Sequence, residues 1–160
     1  MSFARTALAT LFAALGLAVP ATAIADIPPE SAAMIQKVNE ARHSIGVPAL
    51  EASEALTTSA RTYARYMLKN DYFGHLATIR AGGNFLITGE TLEWHSGWRP
   101  RVALAFSQWM GSPSHHAILM SRTFRFIGTG RVRGRWGTRK ATSWVAHLGG
   151  QPAAPGGLLP

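Results

Sequence analysis

Apolar residues recur at helical spacing in two segments near the start of the chain. In residues 31–43 they lie one, three and three positions apart, which predicts an amphipathic helix. Ser31 at its start and Gly46 just after its end are typical of residues that begin and end helices. Residues 53–70 repeat the pattern and begin at another serine, so they predict a second helix. Residues 46–50 are too short for more than a turn. We therefore expect the two helices to pack together.

Apolar residues lose their helical spacing over residues 72–97 and regain it only after about residue 100. Residues 72–97 are rich in glycine and polar residues, which predicts an irregular segment with at most a short strand over 84–88. A third helix is expected from about residue 100 and should end before Pro113, because the residue preceding a proline avoids helical angles. Residues 113–120 predict a short fourth helix.

The last apolar runs favour strands. Residues 126–135 and 141–148 are separated by a short polar stretch with a glycine, which predicts a β-hairpin. Residues 151–160 are rich in proline and glycine, and we expect them to form a disordered tail.

The N-terminus predicts export. Arg5 precedes an apolar run over 7–19, and small residues follow in an A-x-A pattern at 23–25, as in a secretory signal peptide. The run is shorter than the roughly 18 residues of a membrane span, so no transmembrane anchor is expected after cleavage. We predict a signal peptide over 1–25, with cleavage after the first alanine of the A-x-A pattern as the alternative. One domain over 26–150 would follow, in a secreted, periplasmic or extracellular protein.

Charge and cysteine content narrow the possible partners. The chain has no cysteine, which excludes disulfides and a catalytic thiol. Its net charge is +8, and every acidic residue lies at or before Glu93. In the predicted strand Arg131, Arg133 and Arg135 alternate, so they would share one face and could hold an anionic envelope polymer or lipid headgroup. The alternative is a solvated strand face. Nucleic acid is not an expected partner of an exported chain without a recognition helix.

Two histidines and one carboxylate lie beside glycine or proline, in settings where chemistry more often than packing requires them. They are His75, Glu90 and His115. If they meet in space, they form one polar cleft. The alternative is that they are buried structural groups that satisfy one another or the backbone. No nucleophile motif of the G-x-S-x-G or H-E-x-x-H type is present.

The order of elements and motifs resembles the CAP superfamily of cysteine-rich secretory proteins, antigen-5 allergens and pathogenesis-related proteins, in its bacterial secreted branch. The resemblance covers about residues 33–149. It rests on five motifs, in order: Val-Asn-Glu-Ala-Arg at 38–42 with Gly-Val-Pro-Ala-Leu at 46–50, Tyr-Phe-Gly-His at 72–75, Gly-Glu at 89–90, Trp-Met-Gly-Ser-Pro-Ser-His at 109–115 and Phe-Arg-Phe-Ile-Gly-Thr-Gly at 124–130. It implies an α+β fold, a three-layer α-β-α sandwich with a central antiparallel sheet.

The resemblance also implies roles for the cleft residues. The two family histidines fall on His75 and His115, and the family glutamate falls on Glu90. In the family the paired histidines can bind a divalent metal, often zinc, so His75 and His115 are the predicted metal ligands. Eukaryotic members carry a second cleft glutamate after the tryptophan of the third helix, which this chain lacks. Glu93 or His95 is the candidate to replace it.

Three function classes follow. The first is a monomeric binding module for a lipid or envelope ligand, with zinc as the expected metal if one is bound, and no catalysis. The second is a metal-dependent hydrolase in which His75 and His115 hold the metal and Glu90 is the general base. The third is a basic adhesion protein that grips anionic surfaces, for which salt-sensitive binding would be the evidence.

Overall fold

The computed structural model describes residues 27–150. Their elements are, in chain order, α1 (Pro29–Ser44), β1 (Glu51–Ala52), α2 (Glu54–Lys69), β2 (Ile87–Ser96), α3 (Val102–Gly111), α4 (Pro113–Met120), β3 (Phe126–Trp136) and β4 (Arg139–Gly150). The predicted signal peptide over 1–25 and disordered tail over 151–160 lie outside the described residues. Between residues 27 and 150, no helix combines the length and the apolar character that a membrane crossing requires.

The four strands form one mixed sheet in the order β1-β3-β4-β2. The predicted hairpin is present, with β3 and β4 antiparallel and joined through Gly137 (φ 54°) and Thr138. β2 lies antiparallel to β4. The short β1 is parallel to β3, because the chain leaving α1 runs beside the start of β3 in the same direction. The resemblance implied an antiparallel sheet. The parallel pairing of β1 with β3 corrects that expectation, because the sheet is mixed.

Helices cover both faces of the sheet. α2 packs against one face, in a cluster that includes Ala60, Tyr63, Leu92 and Val145. α1, α3 and α4 cover the other face, around Trp144 and its neighbours. The α+β class and the three-layer sandwich are confirmed. The prediction that the first two helices pack together is wrong, because β1 at the sheet edge carries the chain from one face to the other.

Glycines on β3 let α2 approach the sheet closely. A Cβ atom at Gly128 would lie 2.0 Å from the backbone nitrogen of Thr57, and one at Gly130 would lie 2.1 Å from that of Arg61. No side chain fits between these strand positions and the helix. α2 therefore rests directly on the backbone of β3, which fixes its position.

Most elements were predicted, and β2 was largely missed. α4 has the predicted bounds. Both ends of α1 and of α2 lie within two residues of the predicted ends. β2 covers ten residues in the segment predicted to be irregular, where the expected strand was confined to 84–88. Its interior is buried on both faces, although it includes Glu90, Glu93 and His95. These polar residues interrupt the alternation of apolar and polar positions by which a strand is recognised in a sequence.

Candidate functional site

Glu90 is the centre of a buried hydrogen-bond network on the α2 side of the sheet. Its Oε1 lies 2.9 Å from His75 Nδ1 and accepts the backbone N–H of Leu76 at 3.0 Å. Its Oε2 lies 2.9 Å from Nε2 of His147. The side chain is only 5 % exposed. Both carboxylate oxygens are therefore occupied by protein groups, and Glu90 orients its neighbours.

The two predicted cleft histidines lie beside Glu90. His75 comes from the loop after α2 and is 56 % exposed, whereas His115 comes from α4 and is half-buried. Their ring centroids are 5.7 Å apart, with the rings inclined by 64°. Burial lowers the pKa of His115, and the neighbouring His75 lowers it further, against the opposing charge of Glu90. At neutral pH the His115 ring therefore presents a free nitrogen lone pair.

Glu93 and His95 do not join this cluster. Alternate residues of a strand point to opposite faces, so Glu93 points away from the face that carries Glu90. Its side chain is 1 % exposed and lies 3.0 Å from His95 Nδ1, while His95 Nε2 lies 2.8 Å from the carbonyl oxygen of Arg99. Burial raises the pKa of Glu93, opposed by its hydrogen bond to His95. The sequence hypothesis had placed Glu93 in the cleft, and the structure places it in the core.

A groove of about 730 Å³ runs between α2 and the following loop and reaches His75. Tyr63, Tyr66 and Tyr72 form an aromatic wall, with neighbouring ring centroids 6.0 and 6.3 Å apart. The Tyr63 hydroxyl donates to the carbonyl oxygen of Gly74, which ties the loop to the helix. Burial and the charge of Glu90 raise the pKa of Tyr63 to about 12, so it remains a donor.

A second, smaller hollow of about 300 Å³ also has His75 in its lining. Gly89, Glu90 and Ile118 contribute to its lining. His75 borders both spaces, so a ligand in either one can reach its ring. Of the three predicted cleft residues, His75 is therefore accessible to a ligand, and Glu90 is the buried residue that orients its ring.

Two residues of the network were missed from the sequence, namely Ser59 and His147. His147 is fully buried, and its Nδ1 lies 3.0 Å from Ser59 Oγ. The available signal was an imidazole within an apolar strand run over 141–148. That His147 pairs with Glu90 follows from the β2–β4 register, which the sequence did not predict.

Each of the two cleft histidines keeps a ring nitrogen without a protein hydrogen-bond partner among the described residues. His75 Nδ1 is engaged by Glu90, which leaves its Nε2 free, and neither ring nitrogen of His115 has a hydrogen-bond partner within residues 27–150. In the same part of the chain, no group of three His, Cys, Asp or Glu side chains is placed to hold a metal ion. A metal here would take two protein nitrogens and leave its other positions open.

The arginines of β3 lie on one face of the strand, as its alternation predicts, but they differ in their contacts. Arg131 bonds to Glu30 at 3.0 Å and to the carbonyl oxygen of Trp98 at 3.1 Å. Arg135 donates to the carbonyl oxygen of Thr138 in the hairpin turn. Arg133 is exposed. A hollow of about 530 Å³ next to the strand is lined by Glu30, Arg61, Arg65, Arg131, Val132 and Arg133.

Comparison with known families decides the membership of the chain. A sequence model of the cysteine-rich secretory protein family, abbreviated CAP, matches residues 35–148. The chain belongs to the CAP family. No curated protein sequence matches this CAP domain at a significant level.

Solved structures share the fold of this CAP domain. An outer surface protein of Borrelia burgdorferi is similar with a TM-score of 0.60 and 21 % identity, over 75 % of this chain and 91 % of that chain. An extracellular protein with an SCP domain from Bacillus anthracis gives 0.63 and 17 %, over 76 % of this chain and 40 % of that chain. Venom allergen-like protein 4 of Schistosoma mansoni gives 0.58 and 14 %, over 78 % and 91 %. At such identities the likeness establishes the fold alone.

Proposed function

We propose that this CAP domain is an exported binding module that holds a ligand with an apolar chain, such as a lipid, in the groove beside α2. The observation that carries the proposal is the groove of about 730 Å³, which falls in the size range of small-molecule sites. Export is supported by the predicted signal peptide and by the extracellular or outer-surface descriptions of bacterial structures with this fold.

Apolar side chains exposed around the groove support the proposal. Tyr66 is 53 % exposed, Tyr72 45 % and Leu76 36 %. Exposed apolar groups gathered around a concavity are typical of a binding surface. A bound hydrocarbon chain would cover them and gain hydrophobic free energy in proportion to the apolar area that it buries.

The polar end of the groove suits a ligand headgroup. His75 borders the groove, and Glu90 fixes the orientation of its ring through Nδ1. In this proposal a divalent ion such as zinc would be held by His75 and His115, with Glu90 as the carboxylate behind the first ligand. When bound, such an ion would supply a Lewis acid. The three protein contacts of Glu90 disfavour its use as the general base of a metal-dependent hydrolase.

The test is the binding of cis-parinaric acid, a fluorescent fatty acid, to the purified protein and two variants. Thr62→Trp places a bulky ring in the groove that Thr62 lines. We expect the Kd to rise at least about tenfold, which corresponds to about 1.4 kcal/mol. Lys69→Trp, on the same helix but outside the groove lining, is the matched control and should bind like the unmodified protein. Equal affinities of the two variants, or no saturable binding at all, would contradict the proposal.

A second candidate function is the binding of an anionic envelope polymer by the arginine hollow, which we define as the space lined by Arg61, Arg65, Arg131 and Arg133. Arg61 and Arg65 lie one turn apart on α2, where like charges repel. The lone acidic residue of the lining, Glu30, is already bonded to Arg131. Three guanidinium groups therefore face one concavity without a matching negative charge in its lining, which favours an anion as their partner.

A further inference from the structure

Three side chains from three elements form a hydrogen-bonded series at the groove. They are Ser59 of α2, His147 of β4 and Glu90 of β2. Ser59 Oγ lies 3.0 Å from His147 Nδ1, and His147 Nε2 lies 2.9 Å from Glu90 Oε2. A hydroxyl, an imidazole within its reach and a carboxylate that orients the imidazole are the parts of an activated serine nucleophile.

We propose that Ser59 is the nucleophile of a carboxylic ester hydrolase, with His147 as its general base and Glu90 as a positioning residue. The inference rests on the proposed function, because the acyl chain of the ester would occupy the groove. Ser59 lines that groove and is only half-buried. The substrate class is therefore an ester of an apolar acyl chain.

The hydrogen-bond pattern around Glu90 sets the proton on His147. A carboxylate can only accept hydrogen bonds. With Glu90 as a carboxylate, its Oε2 takes a hydrogen from Nε2 of His147. A neutral ring then has its lone pair on Nδ1, the atom that faces Ser59 Oγ.

The serine proton has two acceptors within reach. Ser59 Oγ lies 3.0 Å from His147 Nδ1 and 3.0 Å from the carbonyl oxygen of Arg80. One hydroxyl carries one proton, so it points to either acceptor at a given moment. The orientation toward His147 prepares Ser59 for attack, and the orientation toward Arg80 is the resting alternative.

Packing holds the base in position. His147 is fully buried, and the ring of Tyr63 stacks on it with centroids 6.3 Å apart and planes inclined by 27°. With Glu90 on one nitrogen and an aromatic ring on its face, the imidazole has little freedom to turn. Fixed orientation of the base is what general-base catalysis requires.

The reaction balances with water as the co-reactant. Ser59 Oγ bonds to the ester carbonyl carbon while its proton passes to His147 Nδ1. The bond from that carbon to the alcohol oxygen breaks, and the alcohol leaves with the proton from His147. Water then attacks the acyl-serine and gives a proton to His147, which returns it to Ser59 Oγ as the carboxylic acid leaves. One ester and one water yield one acid and one alcohol.

The first experiment follows hydrolysis of p-nitrophenyl octanoate and covalent labelling by a fluorophosphonate, with the labelled residue located by mass spectrometry. The expected result is turnover and a single adduct on Ser59. Ser59→Ala should lose the adduct and at least about a hundredfold in kcat/KM. Ser107→Ala, an exposed serine on α3, is the matched control and should retain full activity. The absence of an adduct, or an adduct on another residue, would overturn the inference.

Two further readouts separate this inference from the others. Binding of cis-parinaric acid by the unmodified protein without turnover or labelling would reject the hydrolase and leave the binding module intact. Absence of cis-parinaric acid binding would reject both. Hydrolysis that disappears with EDTA would overturn the serine mechanism in favour of a metal. His147→Gln, which keeps a polar side chain, should lose kcat more than it changes KM if His147 is the base.

Discussion

Two carboxylates of one strand, Glu90 and Glu93, meet histidines on opposite faces of the sheet and differ in their surroundings. Glu90 has three hydrogen-bond partners. Glu93 has His95, whose two nitrogens face acceptors, the Glu93 carboxylate and the carbonyl oxygen of Arg99. Both contacts are satisfied only if Glu93 and His95 retain a shared proton between them. They therefore act as one buried unit.

The first residue-scale prediction removes one member of this unit. His95→Leu leaves the Glu93 charge buried without a partner, which should lower the free energy of unfolding by about 3 kcal/mol at pH 7. Glu93→Leu/His95→Leu removes both members and should recover most of the loss. Urea denaturation of the three proteins measures the difference.

The loss should also depend on pH. Burial raises the pKa of Glu93, so the folded carboxyl still binds a proton at a pH where the unfolded one has released it. The stability associated with that proton is present at low pH and is lost as pH rises. The cost of His95→Leu should therefore shrink between pH 7 and pH 5. The same cost at both pH values would contradict a charged, unpaired Glu93.

At the scale of elements, local signals explain what could be predicted. Pro113 begins α4, and Ser53 caps α2 by accepting the backbone N–H of Leu56, so both helices could be placed from nearby residues. Glu90, buried in the interior of β2, takes its partners from the loop before the strand and from His147 of β4. His147 is 57 positions away in sequence, and no local pattern predicts the pairing.

The contact between α2 and β3 gives the second prediction. Gly130→Ala would put a methyl group against helix backbone at 2.1 Å, so we expect a loss of about 3 kcal/mol or more. Gly134→Ala, on the same strand face, meets only the Leu68 side chain, whose terminal Cδ1 would lie 3.2 Å from the new methyl group, and should cost less than about 1 kcal/mol. Thermal unfolding of both variants tests the contact, and equal losses would show that the helix is free to shift.

At the scale of the whole molecule, charge is distributed unevenly. The net charge is +8, and part of it gathers in the arginine hollow. Binding of dextran sulfate should therefore weaken steeply between 50 and 200 mM NaCl, because salt screens exposed charges. We expect Arg61→Gln/Arg65→Gln to weaken binding about fivefold, since two exposed ion pairs together are worth about 1 kcal/mol.

A variant of equal net charge is the control for this prediction. Arg101→Gln/Arg139→Gln removes two exposed charges outside the lining of the hollow and should change the affinity little. If both double variants lose the same affinity, the overall charge attracts the polymer and the hollow has no special role. Fluorescence anisotropy of labelled dextran sulfate measures both.

The candidate site was only partly visible in the sequence, for a reason that concerns the whole fold. His75, Glu90 and His115 lie in short motifs that resemble a family, so they could be proposed from local residues. Ser59 and His147 are 88 positions apart and meet only because α2 lies across β4. Their contact depends on sheet register and helix placement, which short-range patterns do not encode.

The direct packing of α2 on the glycine backbone of β3 affects how strongly binding in the groove influences binding in the arginine hollow. Ser59 borders the groove and Arg61 borders the hollow, so one helix is a wall of both. A ligand in either space could influence the other by tilting that helix, but the backbone contacts at Gly128 and Gly130 oppose a tilt. We therefore expect the free energies of binding in the two spaces to add, with little allosteric coupling. The domain would then bind two ligands independently of each other.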